Sequence, residues 1–465
     1  MKLSIENIGP IGSAHLDLTG LTVIGGLNDS GKSTVGKSLF AIVKAIRNRE
    51  DEFVAGQRNK LTAITSELIS ELRGAAGPAI SPAVFNNTIR RVQDVRRFSG
   101  EEGLLAFDAV SDDIKATTLE EILRRIIPFR RNNPGERLPF AEDTDLQRIE
   151  YAVRGIIEKH FSRIRSIIAE KQNPKETYSA SFKNIMNAIF HQEINNKRQE
   201  GKDGTIKLSE NEQDIFSIAF SDNILKTEEV KIQDDVISAL FEDATLLESP
   251  FVLNFQEHMI LTSRSSNGDY SSAYPTYDLV EKLNYASTEV EPHNALELEI
   301  TEKISKTIGG QVYFETESDG FVFSTTDDNI SVNIANTASG VKTLGILQML
   351  ARAGFLNTSN LLIIDEPEVH LHPAWQILYA EIVAILVKNN VYCVVSSHSP
   401  YFIQALEAYS TIHKIEKLTK FYISDKDKDK GIYFKDVTED TEPLYKLLAD
   451  PMKEIAFLRA RAQNA

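Results

Sequence analysis

The sequence predicts an α/β fold: a largely parallel sheet covered by helices and interrupted by a long helical insertion. Three patterns carry this reading. Near the start, the apolar strand LTVIGG runs into a glycine turn and then an amphipathic helix. Residues 340–400 alternate helix, strand, helix, strand, the order expected of a parallel sheet. Between them, residues 49–203 have helical texture. The chain therefore divides into 1–48, the first part of the α/β unit; 49–203, a helical arm; and 204–465, the rest of the α/β unit.

Taken in order, KLSIENI reads as a strand and GSAHLDL as its hairpin partner. The helix from about Lys32 to Asn48 shows Val35, Leu39, Ile42, Val43 and Ile46 at spacings of three and four. In the arm, Leu61, Ile64, Leu68 and Leu72 form one stripe. Leu146, Ile149, Val153, Ile156, His160, Ile164 and Ile167 form a second, close to a heptad seam. Pro128, Pro134 and Pro174 break the pattern, so a compact bundle is expected and not a rod. After GKDG, TIKLSENEQDIFSIAF reads as a hairpin and ATLLESP as a short buried strand stopped by Pro250. Residues 251–310 are mostly helical in pattern, with a polar gap at TSRSSNGDYSS. QVYFETESDGFVFSTTDDNISVNI reads as a three-stranded meander with turns at Asp-Gly and Asp-Asp-Asn. KFYIS and GIYFKDV flank the charged turn SDKDKDKG as two further strands.

Composition narrows the function. Fifty-one basic residues against 67 acidic give a formal net charge of −16. That is a poor starting point for a stand-alone nucleic-acid binder, whose affinity rests on neutralised phosphates. The single cysteine, Cys393, excludes an internal disulfide and a CxxC metal hook, and fits a reducing cytoplasm. MKLSIENIGP lacks the apolar core of a signal peptide. No apolar run approaches the ~18–20 residues that span a bilayer, so no membrane contact is expected of this chain, and any transporter role would need a separate membrane subunit.

Four segments carry chemistry. GLNDSGKS, Gly26 to Ser33, matches G-x-x-x-x-G-K-[ST] with the strand before it and the helix after it that the mechanism needs. The backbone of Asn28, Asp29, Ser30, Gly31, Lys32, Ser33 and Thr34 is expected to cradle phosphates at a helix N-terminus. Lys32 would reach the β and γ phosphates, and Ser33 would ligate Mg²⁺. Next, LLIIDEPEVHLHP places Asp365 at the carboxyl end of a buried strand, where it can hold the Mg²⁺ hydration shell. Glu366 follows as general base for an attacking water. His370 and His372 are read as structural, since no further ligand cluster accompanies them. Third, VYCVVSSHSP ends another apolar strand, and His398 would lie at the phosphate end of the sheet. Fourth, NTASGVKTLGIL sets Ser339 and Gly340 where a loop enters a helix, an anion site by geometry but also common N-cap chemistry.

Taken together these segments resemble the ABC ATPase superfamily, reading in order as Walker A, signature, Walker B with D-loop, and H-loop. The near-terminal Walker A and the long insertion resemble the branch of SMC, RecF and OLD proteins. The resemblance covers about residues 1–48 and 204–440. It implies an ABC/SMC-head-like P-loop ATPase domain with a large inserted helical arm, using ATP and Mg²⁺. It also implies a homodimer, or a higher homo-oligomer, closing an ATP sandwich. Each nucleotide would lie between the loop Gly26–Thr34 of one copy and Ser339, Gly340 and Lys342 of the other. The signature here is ASGVK and not LSGGQ, and the Q-loop glutamine is not placed, Gln256 being a candidate. The size, DEPEVHLHP, SSHSP and ESPFVLNF further resemble the ATPase component of Septu-type anti-phage systems. In that family the effector partner is a separate HNH nuclease. An OLD-type nuclease would carry a Toprim domain, for which the stretch after His398 is too short, so no nuclease is expected in this chain.

Three functions follow from that resemblance: a regulatory ATPase of a defence complex, a DNA-repair or clamp ATPase that binds DNA directly, and a transporter subunit. The insertion and the signature argue against the last. A long rod or zinc hook would favour the clamp, and neither is present. Arg90, Arg91, Arg96, Arg97, Arg124, Arg125, Arg130 and Arg131 make the arm locally basic. They leave nucleic acid open as a partner, although a solvated face or protein contact is the commoner use of such a pattern.

Overall fold

The computed structural model describes residues 1–76, 100–132, 143–254, 270, 273–286, 292–317, 320–328, 330–427 and 431–463. Gln256, Arg90, Arg91, Arg96 and Arg97, and all of TSRSSNGDYSS except Tyr270, lie outside the described residues. The chain forms two compact units, one of Met1–Arg49 with Tyr178–Ala465 and one of Glu50–Thr177. Where the expected insertion runs to 203, the second unit ends at Thr177. The reason lies in the helix Pro174–Ile189, whose Tyr178 and Phe182 pack on Phe216 in the first unit.

The first unit is built on one twelve-stranded sheet. Its strands are β1 (Lys2–Ile8), β2 (Ile11–Asp17), β3 (Leu21–Gly25), β4 (Gly204–Glu210), β5 (Gln213–Ser221), β6 (Ile224–Leu225), β7 (Lys231–Ile232) and β8 (Asp243–Leu247). Then come β12 (Asn360–Asp365), β13 (Cys393–Ser397), β14 (Thr419–Asp427) and β15 (Gly431–Asp436). The order is β6-β5-β4-β1-β2-β15-β14-β3-β13-β12-β8, with β7 beside β5. The half from β14 to β8 is parallel, and the half from β6 to β2 is antiparallel. The expected meander forms a separate antiparallel sheet of β9 (Gly310–Glu315), β10 (Gly320–Thr325) and β11 (Ser331–Asn333).

The parallel strands are buried on both faces, which explains their unbroken apolar runs. Alternate residues feed two cores: Leu362 and Ile364 face one, Leu361 and Ile363 the other. The helix Lys32–Arg47 lies over the second core through Val35, Leu39, Ile42 and Val43. It approaches closely at Gly36, where a Cβ would come within 2.7 Å of the Ile363 side chain. The helices Ser339–Arg352, Pro373–Lys388 and Pro400–Ile412 cover the first core.

The second unit has its own core. Leu61, Ile64, Leu68 and Leu72 are buried in it as the stripe predicts. On the helix Asp143–Ile168 the buried positions among the described side chains are Val153, Ile157, His160, Phe161, Ile164 and Ile168, and Leu146 and Ile149 of the expected seam lie outside those described. Ile156 and Ile167 of the expected seam are only half-buried. A straight helix turns 3.6 residues per turn, so its buried face drifts from a strict heptad. Arg124 pairs with Glu120 on its own helix at 2.6 Å, and nothing is described of the side chains of Arg125, Arg130 and Arg131.

Candidate functional site

Register brings four strand ends level at one edge of the sheet. Ser397 pairs with Gly25, Asp365 with Ser396, and Ile364 with Leu247. The turns that leave β3, β13, β12 and β8 therefore stand side by side at the carboxyl edge. In open α/β sheets that edge is where ligands bind.

The glycine turn after β3 is shaped by close approach. A Cβ on Gly26 would sit 1.9 Å from Ser424 Oγ of β14, so only glycine fits. Ser424 Oγ also donates to Ser30 Oγ at 2.6 Å, tying the loop to that strand. Gly31, at φ +75°, turns the chain into the helix that begins at Lys32. That helix has no side-chain cap and no acidic residue in its first turn. Its orphan N–H groups are thus left for an anion. Leu27, Asn28 and Asp29 are exposed, Ser33 is half-buried, and Thr34 is buried.

Lys32 is the centre of the site. Its side chain is only 3% exposed. Nζ donates to the carbonyls of Leu27 (2.8 Å) and Gly26 (3.2 Å) and lies 3.4 Å from Glu366 Oε1. Glu366 adopts a left-handed backbone at φ +48°, costly for a residue with a side chain and typical of functional turns. Its N–H donates to Ser396 O at 3.0 Å. Its carboxylate also lies 3.4 Å from His398 Nδ1. Asp365 accepts a hydrogen bond from Ser396 Oγ. Lys32, Asp365, Glu366 and His398, distant in sequence, thus meet at one edge. The hydroxyl of Ser33 and the carboxylate of Asp365 are hard oxygen donors of the kind that would suit Mg²⁺.

Several residues at this edge escape sequence reasoning. Glu368 is one, a buried carboxylate in the turn after β12. Its Oε1 accepts from Ser397 Oγ (2.7 Å), His398 N (2.7 Å) and Ser399 N (3.1 Å). Glu248 is another; it follows Leu247 and stands beside Asp365, paired with Lys37 at 2.9 Å. It helps line a cleft with Ser249, Asp365, Glu366, Thr343 and Tyr379. The last acid of DEPE and the acid of ESP are the available signals, but strand pairing alone gives them neighbours.

The signature segment enters a helix, as its sequence leads one to expect. Ser339 opens the helix Ser339–Arg352 and is half-buried. Gly340 is needed for packing: a Cβ there would meet the Trp375 ring at 2.8 Å. Lys342, expected to reach a second copy's nucleotide, is 4% exposed within its own chain. Its Nζ donates to Asn254 Oδ1 (2.8 Å) and Ala335 O (3.1 Å). The helix turns this side chain inward, where it ties two loops of its own chain. No hydrogen bond or ion pair links Ser339, Gly340 or Lys342 to Lys32, Glu366 or His398 among the described residues. His370 stacks edge-on against Phe251 at 5.1 Å, and His372 Nδ1 accepts from Ala374 N at 3.2 Å, capping a helix.

A parallel α/β sheet with a phosphate-binding loop on one strand and an acidic pair on another defines a P-loop nucleotide-binding protein. The family model described as AAA ATPase domain matches residues 1–403, and the chain belongs to that family. The match spans the glycine loop, the acidic strand end and His398. Several solved structures are similar over their full length. The SmcHead bound to the C-winged helix domain of ScpA aligns over 95% of this chain and 98% of its own, at 11% identity and a TM-score of 0.40. The SMC head domain from Thermotoga maritima aligns over 94% and 98%, at 11% identity and 0.34. An Smc head with an extended coiled coil bound to the C-terminal domain of ScpA, from Pyrococcus furiosus, aligns over 98% and 98%, at 13% identity and 0.32. No curated protein matches the sequence. Among the described residues, no helix is long and apolar enough to cross a membrane.

Proposed function

We propose that this chain binds Mg-ATP at the carboxyl edge of its sheet and hydrolyses it, with Glu366 as general base. The observation that carries the proposal is the 3.4 Å approach of Lys32 to Glu366. A buried cation from the glycine loop and a half-exposed carboxylate from the acidic strand end face each other with no closer partner for the carboxylate. Phosphoryl transfer needs positioning and charge neutralisation more than covalent chemistry. The N–H groups from Asn28 to Thr34 receive the phosphates. Lys32 exchanges two carbonyls and Glu366 for phosphate oxygens. Glu366, so released, takes a proton from the attacking water. His398 faces the same space and contacts the terminal phosphate. Ser33 and Asp365, the latter held by Ser396, would hold Mg²⁺, which would supply charge neutralisation for the phosphates.

Ser339 and Gly340 of a second copy complete the site in an ATP sandwich, giving a homodimer or higher homo-oligomer. The resemblance in DEPEVHLHP, SSHSP and ESPFVLNF supports a cytoplasmic regulatory ATPase of an anti-phage complex, whose nucleotide state gates a separate HNH nuclease.

Glu366→Gln tests the hydrolytic reading. Phosphate release should fall about 10²–10⁴-fold, the contribution of a positioned general base. ATP binding should survive, and native mass spectrometry should show more dimer with ATP present. Wild-type turnover in this variant would assign the base elsewhere. Co-purification with the product of an adjacent HNH gene tests the defence role; a clamp-type DNA partner in its place would overturn it.

A further inference from the structure

The turn after β12 holds two carboxylates, and only Glu366 has a task in the reaction. Glu368 is 3% exposed, against 30% for Glu366. A carboxylate that deep must be matched by donors, and here they all come from one segment. Ser397 Oγ, His398 N and Ser399 N converge on the same oxygen, Oε1. Ser399 in turn donates to Gln376 Oε1 at 2.7 Å, and Gln376 Nε2 donates back to Leu371 O at 3.0 Å. The loop that carries His398 is thereby locked to the loop that carries Glu366.

The imidazole continues the pattern. His398 Nδ1 lies 3.3 Å from Glu368 Oε1 and 3.4 Å from Glu366 Oε1. Both neighbours can only accept as carboxylates, so the tautomer that suits them carries its proton on Nδ1. Yet Nδ1 is buried without a hydrogen bond, and so is Glu368 Oε2. An unmet donor and an unmet acceptor sit on adjacent side chains, an arrangement that native structures rarely leave unused.

We propose that Glu368 is a positioning residue for His398: it clamps the loop Ser397–Ser399 and keeps Nδ1 as the protonated nitrogen, which leaves Nε2 for the nucleotide. Glu366 cannot do this throughout, because the reaction draws it toward water. Glu368 is anchored and stays. The inference rests on the reading of His398 as a nucleotide-facing residue.

Two measurements on the full-length chain test it. The first is imidazole ¹⁵N NMR without nucleotide, with the His398 signal assigned by His398→Ala. In Glu366→Ala, one of the two facing carboxylates is gone, and Nδ1 should remain protonated because Glu368 holds it. A switch to the Nε2–H form, which histidine favours in water, would overturn the proposal. The second is a kinetic cycle. Glu368→Gln keeps an oxygen for the loop's three donors but removes the charge. It should lower kcat about 10- to 100-fold, the range for carboxylates that orient a metal-bound histidine, with KM changed less than about twofold. Added to His398→Ala, it should cost less than about twofold, because a residue acting through His398 has nothing left to act on. Equal losses in both backgrounds would show a merely structural role and overturn it. Wild-type turnover in His398→Ala would refute the site reading itself, while the NMR arm still decides the pairing.

Discussion

Lys32 and Lys44 stand about three turns apart on one helix, and both are buried. Their surroundings differ. Lys32 rests on two carbonyls and one carboxylate at 3.4 Å. Lys44 lies 2.5 Å from Asp243 and is hydrogen-bonded to Asp278. Lys282 closes the ring, 2.9 Å from Asp243 and 3.2 Å from Asp278, and Arg47 pairs with Asp243 from the solvent side. Lys282 also donates to Ala244 O (2.7 Å) and Thr245 Oγ1 (2.8 Å) of β8. Burial opposes the charge on Asp243, but Lys44, Lys282 and Arg47 outweigh it and bring its pKa down to about 2. At Lys282 the loss of water outweighs its carboxylates and lowers its pKa. One end of the helix holds a cation loosely, so that a ligand can take it. The other end holds a cation in a closed network that welds the helix to β8 and to the helix Tyr274–Asn284.

If that contrast is right, damage to the two ends should separate. Lys44→Met leaves two buried carboxylates short of a partner and should destabilise the protein by roughly 3–5 kcal/mol. Chemical denaturation measures this, and nucleotide affinity per folded molecule should hold. A loss of affinity with unchanged stability would erase the distinction.

Acid should reach the network next. Asp243 has its pKa depressed in the folded state, from 3.8 to about 2. Its contribution is therefore complete above pH about 4 and is lost as pH falls from about 4 to about 2. It amounts to roughly 2 kcal/mol by linkage. Asp243→Asn should flatten that part of the stability profile; an unchanged acid slope would contradict the pairing.

The smallest effect belongs to Lys342, which the signature motif suggested for nucleotide contact. Lys342→Met should cost about 1 kcal/mol, the worth of an ordinary buried hydrogen bond. It should leave ATP affinity within about twofold, as calorimetry would show. A tenfold loss of affinity would restore Lys342 to the site.

These cases also show what the sequence makes legible. Lys32 can be found because it follows a glycine turn after an apolar strand, and Asp365, Glu366 and His398 because each stands at or just past the end of one; parallel strands bring such ends together. Glu368, Ser396 and Glu248 cannot, because their partners are fixed by register between strands far apart in the chain. The inward turn of Lys342 is not legible, because a loop-to-helix junction fixes a helix start but not which side chains face the core. The arm's far boundary falls at Thr177 because the helix Pro174–Ile189 buries Tyr178, Phe182, Ile185 and Met186 in the core of the first unit, although its helical pattern looks like that of the arm. The Lys44 network left no trace beyond scattered charges, since Asp243 and Asp278 become its partners only in three dimensions.

The central claim is that the glycine loop and the acidic strand end make one nucleotide site with Lys32 at its centre. Calorimetric titration of Lys32→Ala with Mg-ATP tests it most directly. Binding should be lost while the denaturation midpoint stays near that of the wild type. Wild-type affinity in the variant would contradict the account.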